Sequence, residues 1–100
     1  MGIGEALTVM QDFPAAAQWY QQIVARNPRF AAGWLALGNT YVRAGSYPPA
    51  IDAFQHAVDV APHDAAANYL LGSAYQSVAD TAQANRYLNR AYALDPRLRR

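Results

Sequence analysis

One hundred residues with a formal net charge of +1 make one small domain and generate no strong electrostatic field. Hydrophobic residues account for 53% of the chain and charged residues for 15%, which supplies a core and argues against a disordered segment. The absence of cysteine excludes a disulfide framework, a zinc knuckle and a thiol nucleophile.

No segment of the sequence resembles a membrane span or a secretory signal. The apolar stretches are interrupted by Gln, Asn, Asp or Arg, and residues 1–5 lack both a basic region and a long apolar region. We therefore expect no membrane insertion, which favours a cytoplasmic location. Every basic side chain is Arg and Ala is very frequent, a composition that hints at a GC-rich bacterial genome.

The chain repeats itself when it is shifted by 34 residues. Identical residues then recur three times in one register, and a repeat of this length indicates stacked structural units. The identical triplets are Gly4, Gly38 and Gly72; Ala16, Ala50 and Ala84; and Pro28, Pro62 and Pro96.

Each unit has the pattern of two helices joined by a turn, since apolar residues recur at helical spacing on both sides of a turn signal. Asp12, Ser46 and Asp80 are candidate N-caps of the second helices, and the repeated prolines mark their ends. The predicted antiparallel helix pairs lie at 2–11 and 14–26, at 31–44 and 48–60, and at 65–78 and 82–94.

The repeated glycines lie inside predicted helices, where Gly costs about 1 kcal/mol relative to Ala. A cost that recurs at each period indicates close packing between the two helices of a pair. We expect Gly38 to face Ala50 and Gly72 to face Ala84, so that two small residues meet at each contact.

These residues resemble the tetratricopeptide repeat family. The middle unit has the family's full pattern, the third has Asn68 in place of the tryptophan and Leu88 in place of the phenylalanine, and the first unit is truncated. The middle-unit residues are Trp34, Leu37, Gly38, Tyr41, Ala50, Phe54, Ala57 and Pro62.

The resemblance implies an all-α fold, a right-handed α-solenoid of three antiparallel helix pairs. It places a single domain at 1–100, with repeats at about 1–30, 31–64 and 65–98. It also implies a protein–protein interaction scaffold that is not an enzyme and has no cofactor.

The residues themselves give little support to catalysis or metal binding. His56 and His63 are interpreted as solvated side chains and Asp64 as an N-cap, because a metal site needs ligands that converge in an enclosed place. Ser46 is interpreted as a helix cap, and Ser73 and Ser77 lack a basic neighbour at helical spacing. No phosphate-binding loop is present. The basic cluster that includes Arg86 and Arg90 is interpreted as a solvated face, so no nucleic-acid partner is expected.

The resemblance also implies a concave groove lined by the first helix of each pair, which would bind a protein or peptide segment. The first unit would add Glu5, Thr8 and Val9 to this surface. The groove residues implied in the other two units are Leu35, Asn39, Val42, Arg43, Tyr69, Ser73, Gln76 and Ser77.

One subgroup of the family holds the C-terminal carboxylate of chaperone peptides with Lys, Asn and Arg side chains. The matching positions of this chain hold none of these residues, and Glu5 would repel a carboxylate. The positions are Met1, Glu5, Ala36, Ala66 and Leu70. A chaperone-tail function is therefore not expected.

A second hypothesis is an assembly module whose repeats stack end to end with copies of the chain or within a longer array. The sequence reaches Arg100 without room for a further helix, so Leu88 and Tyr92 are expected near an exposed end face. Self-association through end faces is the corresponding expectation, and the solution mass would distinguish the two hypotheses.

Overall fold

The computed structural model describes residues 13–99, which form a series of helices joined by connections of three or four residues. The predicted helix 2–11, the Asp12 cap and the groove positions Glu5, Thr8 and Val9 lie outside the described residues. The helices are α1 (Phe13–Arg26), α2 (Ala31–Arg43), α3 (Tyr47–Val60), α4 (Ala65–Ser77) and α5 (Thr81–Leu94), followed by a 3-10 turn, Pro96–Arg99.

The helix boundaries confirm the sequence prediction, because each of the five helices differs from its predicted range by one residue at one end. No strand occurs within residues 13–99, and the all-α solenoid fold class is confirmed. The helices α2 and α3 form the middle pair, α4 and α5 form the third, and α1 is the second helix of the first pair.

The predicted helix caps are confirmed at Asp80 and Asp64 but not at Ser46. The Asp64 carboxylate accepts hydrogen bonds from the backbone N–H groups of Ala66 and Ala67, and Asp80 accepts one from the N–H of Gln83. Ser46 occupies the N-cap position of α3, but its side chain makes no capping hydrogen bond. Two prolines in the first turn of α3 already remove orphan N–H donors, so less is left for a cap to satisfy.

The close contact at the repeated glycines is confirmed, and its nearest atoms belong to Phe54 and Leu88. A Cβ atom on Gly38 would lie 2.8 Å from Cζ of the Phe54 ring, and one on Gly72 would lie 2.9 Å from the backbone nitrogen of Leu88. Both distances are shorter than carbon contacts allow. The glycines therefore make room for a large residue at one repeat position, Phe54 in the middle unit and Leu88 in the third, which the sequence analysis did not predict.

The core consists of two clusters that follow the repeat. One buries Phe54, Leu71 and Tyr87 among the helices of the middle and third pairs, and the other buries Tyr20 and Leu37 between α1 and the middle pair. Because each pair buries its apolar face only against its neighbours, stacking of the pairs holds the domain together.

Asn68, which stands where the middle unit has Trp34, preserves the hydrogen bond made by that tryptophan. Trp34 Nε1 donates to the carbonyl of Pro28 at 2.8 Å, and the fully buried Asn68 Nδ2 donates to the equivalent carbonyl of Pro62 at 3.1 Å. Asn68 Nδ2 also donates to the carbonyl of Asp64 at 2.9 Å. The substitution thus exchanges ring packing for a second hydrogen bond within the same turn.

The turn between α4 and α5 contains a strained residue. Ala79 has a φ of 62°, in the left-handed region, and the equivalent residue of the middle unit is Gly45, with a φ of 77°. An L-residue with a Cβ costs roughly 1–2 kcal/mol in this region, whereas Gly adopts it readily.

Ala79→Gly is therefore expected to raise the free energy of unfolding by about 1 kcal/mol, despite the added freedom of Gly in the unfolded chain. The melting temperature should rise by about 4–8 °C. Ala44→Gly is the matched control, because Ala44 directly follows α2 with a φ of −80°, and the same change there should lower the stability of the chain. A lower melting temperature for Ala79→Gly would contradict the assignment of strain.

The C-terminal residues cover part of the face that was expected to be exposed. The Pro96–Arg99 turn packs against α5, and the guanidinium of Arg99 lies 5.9 Å from the centre of the Tyr92 ring. Leu88 and Tyr92 are half-buried, so each side chain keeps only part of its surface exposed at this end of the described residues.

Within the turn, the hydrogen bond from the Arg97 side chain holds the pKa of Asp95 below its ordinary value.

Candidate protein-binding surface

The eight predicted groove residues fall on α2 and α4, which are the first helices of the middle and third pairs and contact each other. They occupy equivalent positions in the two units, because each α4 residue follows its α2 counterpart by 34 residues. The pairs are Leu35 with Tyr69, Asn39 with Ser73, Val42 with Gln76, and Arg43 with Ser77. We call these eight residues the α2/α4 surface.

The α2 half of this surface has an apolar base and a polar edge. Leu35 and Val42 are partly buried and pack against the larger core cluster, so their exposed portions have fixed positions. Asn39 and Arg43 are exposed, and Arg43 is the only charged member of the eight. This half therefore offers a fixed apolar contact area beside an amide and a cation.

The α4 half carries the largest exposed ring of the surface. Tyr69 is 36% exposed, and Gln76 is exposed about two turns further along the helix. The hydroxyl of Ser77 donates to the carbonyl of Ser73 at 3.1 Å, so this donor is used within the helix. Tyr69 and Gln76 are consequently the residues of α4 best placed to meet a ligand.

The described residues contain no group of three or more His, Cys, Asp or Glu side chains that could hold a metal ion. His63 is exposed, as expected, but His56 is more than a solvated side chain. Its ring stacks on Trp34 with the ring centres 4.2 Å apart and the planes 16° apart. His56 Nδ1 also lies 2.8 Å from the carbonyl oxygen of Asp52.

The basic cluster on α5 is also built into the structure rather than simply solvated. The guanidinium groups of Arg86 and Arg90 lie 5.5 and 5.8 Å from the centre of the Tyr87 ring, within the range of cation–π contacts. Arg90 also donates to the carbonyl of Pro62. Tyr87 also stacks on Tyr75, where burial raises the pKa of the Tyr75 hydroxyl.

Helical spacing did not reveal the Trp34–His56 and Tyr75–Tyr87 stacks, because each joins residues of different helices. One signal in the sequence could have drawn attention to the arginines of α5, namely the difference in residue type at equivalent repeat positions. Arg86 and Arg90 of the third unit correspond to Asp52 and His56 of the middle unit, so the same two positions hold cations in one unit and different groups in the other.

A sequence profile described as tetratricopeptide repeat matches residues 29–97. No curated protein matches the chain significantly in sequence. No helix within the described residues is long and apolar enough to cross a membrane.

Solved structures share the architecture at low sequence identity. A structure titled "Crystal structure of MamA" has a TM-score of 0.86 and 24% identity, over 94% of this chain and 55% of that one. The TPR2B domain of yeast Sti1, in a complex with pHsp70, has a TM-score of 0.85 and 24% identity, over 96% and 77% of the two chains.

A third structure is the first TPR of Spaghetti (RPAP3) bound to the HSP90 peptide SRMEEVD. Its TM-score is 0.88 and its identity 17%, over 95% of this chain and 75% of that one. At these identities the likeness shows the fold. The chain spans only 55% of the MamA structure and of the CopN–Scc3 complex chain that it also matches.

Proposed function

Because the chain belongs to the tetratricopeptide repeat family, we propose that it is a protein-interaction scaffold that binds a segment of a partner protein on the α2/α4 surface. The observation that carries this proposal is the combination on adjacent helices of a fixed apolar base with an exposed tyrosine. Leu35 and Val42 form that base on α2, and Tyr69 is exposed on the contacting helix α4. Tyrosine and arginine are frequent among residues that dominate binding energy, which assigns the central roles to Tyr69 and Arg43.

The composition of the surface defines the kind of segment it suits. Two apolar residues and one tyrosine ring accommodate one or two apolar anchors of an extended or helical segment. The amides of Asn39 and Gln76 are exposed and offer both donors and acceptors to the backbone of such a segment.

An acidic tail suits the surface poorly, although one structural neighbour is bound to the peptide SRMEEVD, which has three acidic residues. Arg43 is the single cation of the α2/α4 surface, and the matched clamp positions within the described residues are Ala36, Ala66 and Leu70. None of these side chains can form an ion pair with a carboxylate. We therefore propose a mostly neutral ligand whose affinity depends only modestly on salt.

The test is to select ligands from a random phage-displayed peptide library with the whole chain, and to measure the dissociation constants of the best peptides by calorimetry. Tyr69→Ala and Arg43→Ala should each weaken binding by more than about 1 kcal/mol, or about fivefold, and Asn39→Ala should cost less. Arg86→Ala is the control, since Arg86 lies on α5 against Tyr87.

Selected peptides that tolerate Tyr69→Ala but lose affinity with Arg86→Ala would contradict the proposal. Light scattering is run in parallel, because it measures self-association directly. A concentration-dependent mass that Arg86→Ala abolishes would favour the assembly hypothesis instead.

A further inference from the structure

A slot of about 320 Å³ opens between α1 and α3, with α2 at its base. Trp34, Leu37 and Tyr41 form that base, and Gln21 of α1 and Ala53 of α3 line the sides. By helical spacing these α2 residues lie on a different face from Leu35, Asn39 and Val42, so the slot is separate from the α2/α4 surface. Its volume is near the lower end for small-molecule sites, which are about 300–1,000 Å³.

The slot exists because a small residue occupies a repeat position that holds a ring in the other two units. Positions 19, 53 and 87 are equivalent, and they are Trp19, Ala53 and Tyr87. Ala53 is almost completely buried at the wall of the slot, and its methyl group leaves the space of a ring unfilled.

The neighbouring interface between α3 and α5 shows what a ring does in that space. Tyr87 stacks on Tyr75, with the ring centres 5.9 Å apart and the planes 10° apart, and its hydroxyl donates to Gln55 Oε1 at 3.3 Å. The residues equivalent to Tyr75 and Gln55 in the slot are Tyr41 and Gln21. Gln21 Nε2 donates to the Tyr41 hydroxyl, which holds both groups in place at the slot.

We propose that the slot is a second binding site, which receives a tyrosine side chain of a partner protein. The incoming ring would stack on Tyr41, and its hydroxyl would donate to Gln21, as Tyr87 does with Tyr75 and Gln55. The slot thus has a tyrosine and a glutamine equivalent to those that contact Tyr87 at the next interface, while the position equivalent to Tyr87 is held by Ala53.

The charge of the slot selects the neutral phenol over its phosphate ester. Among the described residues that line it, Asp52 alone is charged at neutral pH, and it stands where the next interface has Arg86. A phosphotyrosine would bring its negative charge beside this carboxylate, without the guanidinium that could neutralise it.

The first experiment titrates the whole chain with p-cresol, which is the tyrosine side chain alone, and follows the indole N–H signals by NMR. The Trp34 signal should shift saturably with millimolar affinity, as expected for a ligand of eight non-hydrogen atoms, and Trp19, outside the slot, should respond less. 4-Methylanisole, which lacks the donor, should bind about fivefold more weakly, and p-cresyl phosphate about tenfold more weakly.

The second experiment fills the slot from within. Ala53→Tyr should keep or raise the melting temperature and abolish the p-cresol shift, whereas Ala82→Tyr, on the exposed face of α5, should leave that shift unchanged. Ala53→Leu adds a smaller filling and should also abolish binding, so the site remains testable should Ala53→Tyr fail to fold.

The proposal is overturned by an absent or unsaturable p-cresol shift, by a shift that survives Ala53→Leu, or by tighter binding of ethylguanidinium, which would make the slot a cation site. Ala53 variants leave Tyr69 and Arg43 unchanged. Failure here would therefore leave peptide binding on the α2/α4 surface intact, and the two proposals can fail separately.

Discussion

Phe54→Ala is expected to lower the free energy of unfolding by about 3–5 kcal/mol, the range for removing a buried aromatic ring. The Phe54 ring is 1% exposed, belongs to the larger core cluster and fills the space beside Gly38. A small domain has a total stability of about 5–15 kcal/mol, so this single change should remove a large share of it.

Urea denaturation followed by far-ultraviolet circular dichroism measures this loss. Tyr69→Ala is the matched aromatic control, because its ring is 36% exposed and should cost less than about 1 kcal/mol. Equal losses for the two variants would contradict the assignment of Phe54 as the central core residue.

Gly72→Leu is the other change for which we expect a large effect. It should lower the free energy of unfolding by more than ordinary overpacking does, which is about 1–3 kcal/mol. The first added carbon already lies 2.9 Å from the backbone nitrogen of Leu88, and backbone cannot rotate away as a side chain can. The helices α4 and α5 must therefore separate. Ala66→Leu on the exposed part of α4 introduces the same residue and should change stability by less than about 0.5 kcal/mol.

The two repeated glycines provide a more specific test of this contact. At Gly38 the obstructing atoms belong to the Phe54 ring, whereas at Gly72 they include the Leu88 backbone. A double-mutant cycle should therefore show that Phe54→Leu relieves most of the cost of Gly38→Ala. Leu88→Ala should relieve less of the cost of Gly72→Ala. Equal relief at both sites, or a melting temperature unchanged by Gly72→Leu, would contradict the proposed packing.

The repeat in the sequence predicts which positions form the candidate surface, but it does not predict how exposed each of them is. Knowing the 34-residue period places Leu35 and Tyr69 at equivalent positions of adjacent helices, and the structure puts those helices in contact. The period does not determine how deeply each side chain is buried. Leu35 and Val42 prove to be half-buried against the core, while Asn39 and Arg43 are exposed. That difference depends on neighbouring helices, which the local sequence does not specify.

The slot at Ala53 also could not be predicted from the sequence alone. The signal was present in the sequence, because Trp19 and Tyr87 occupy the equivalent positions. An alanine within a helix is an ordinary residue, however, and its small size acquires a consequence only where Tyr41, Trp34 and Gln21 meet around it. Those residues belong to other helices, so the slot can be recognised only once the packing of the helices is known.

The sequence by itself determined the helix boundaries, the repeat and the family. Helical periodicity, prolines and acidic caps act within a few residues of chain, and the same signals recur in each unit, which averages out local exceptions. Tertiary structure decided which residues meet between helices. It placed Leu88 nearest to Gly72, and it joined Trp34 to His56 and Tyr75 to Tyr87. The physical reason is that side-chain contacts across helices depend on the angle and offset of packing, which arise from all the interdigitating side chains together.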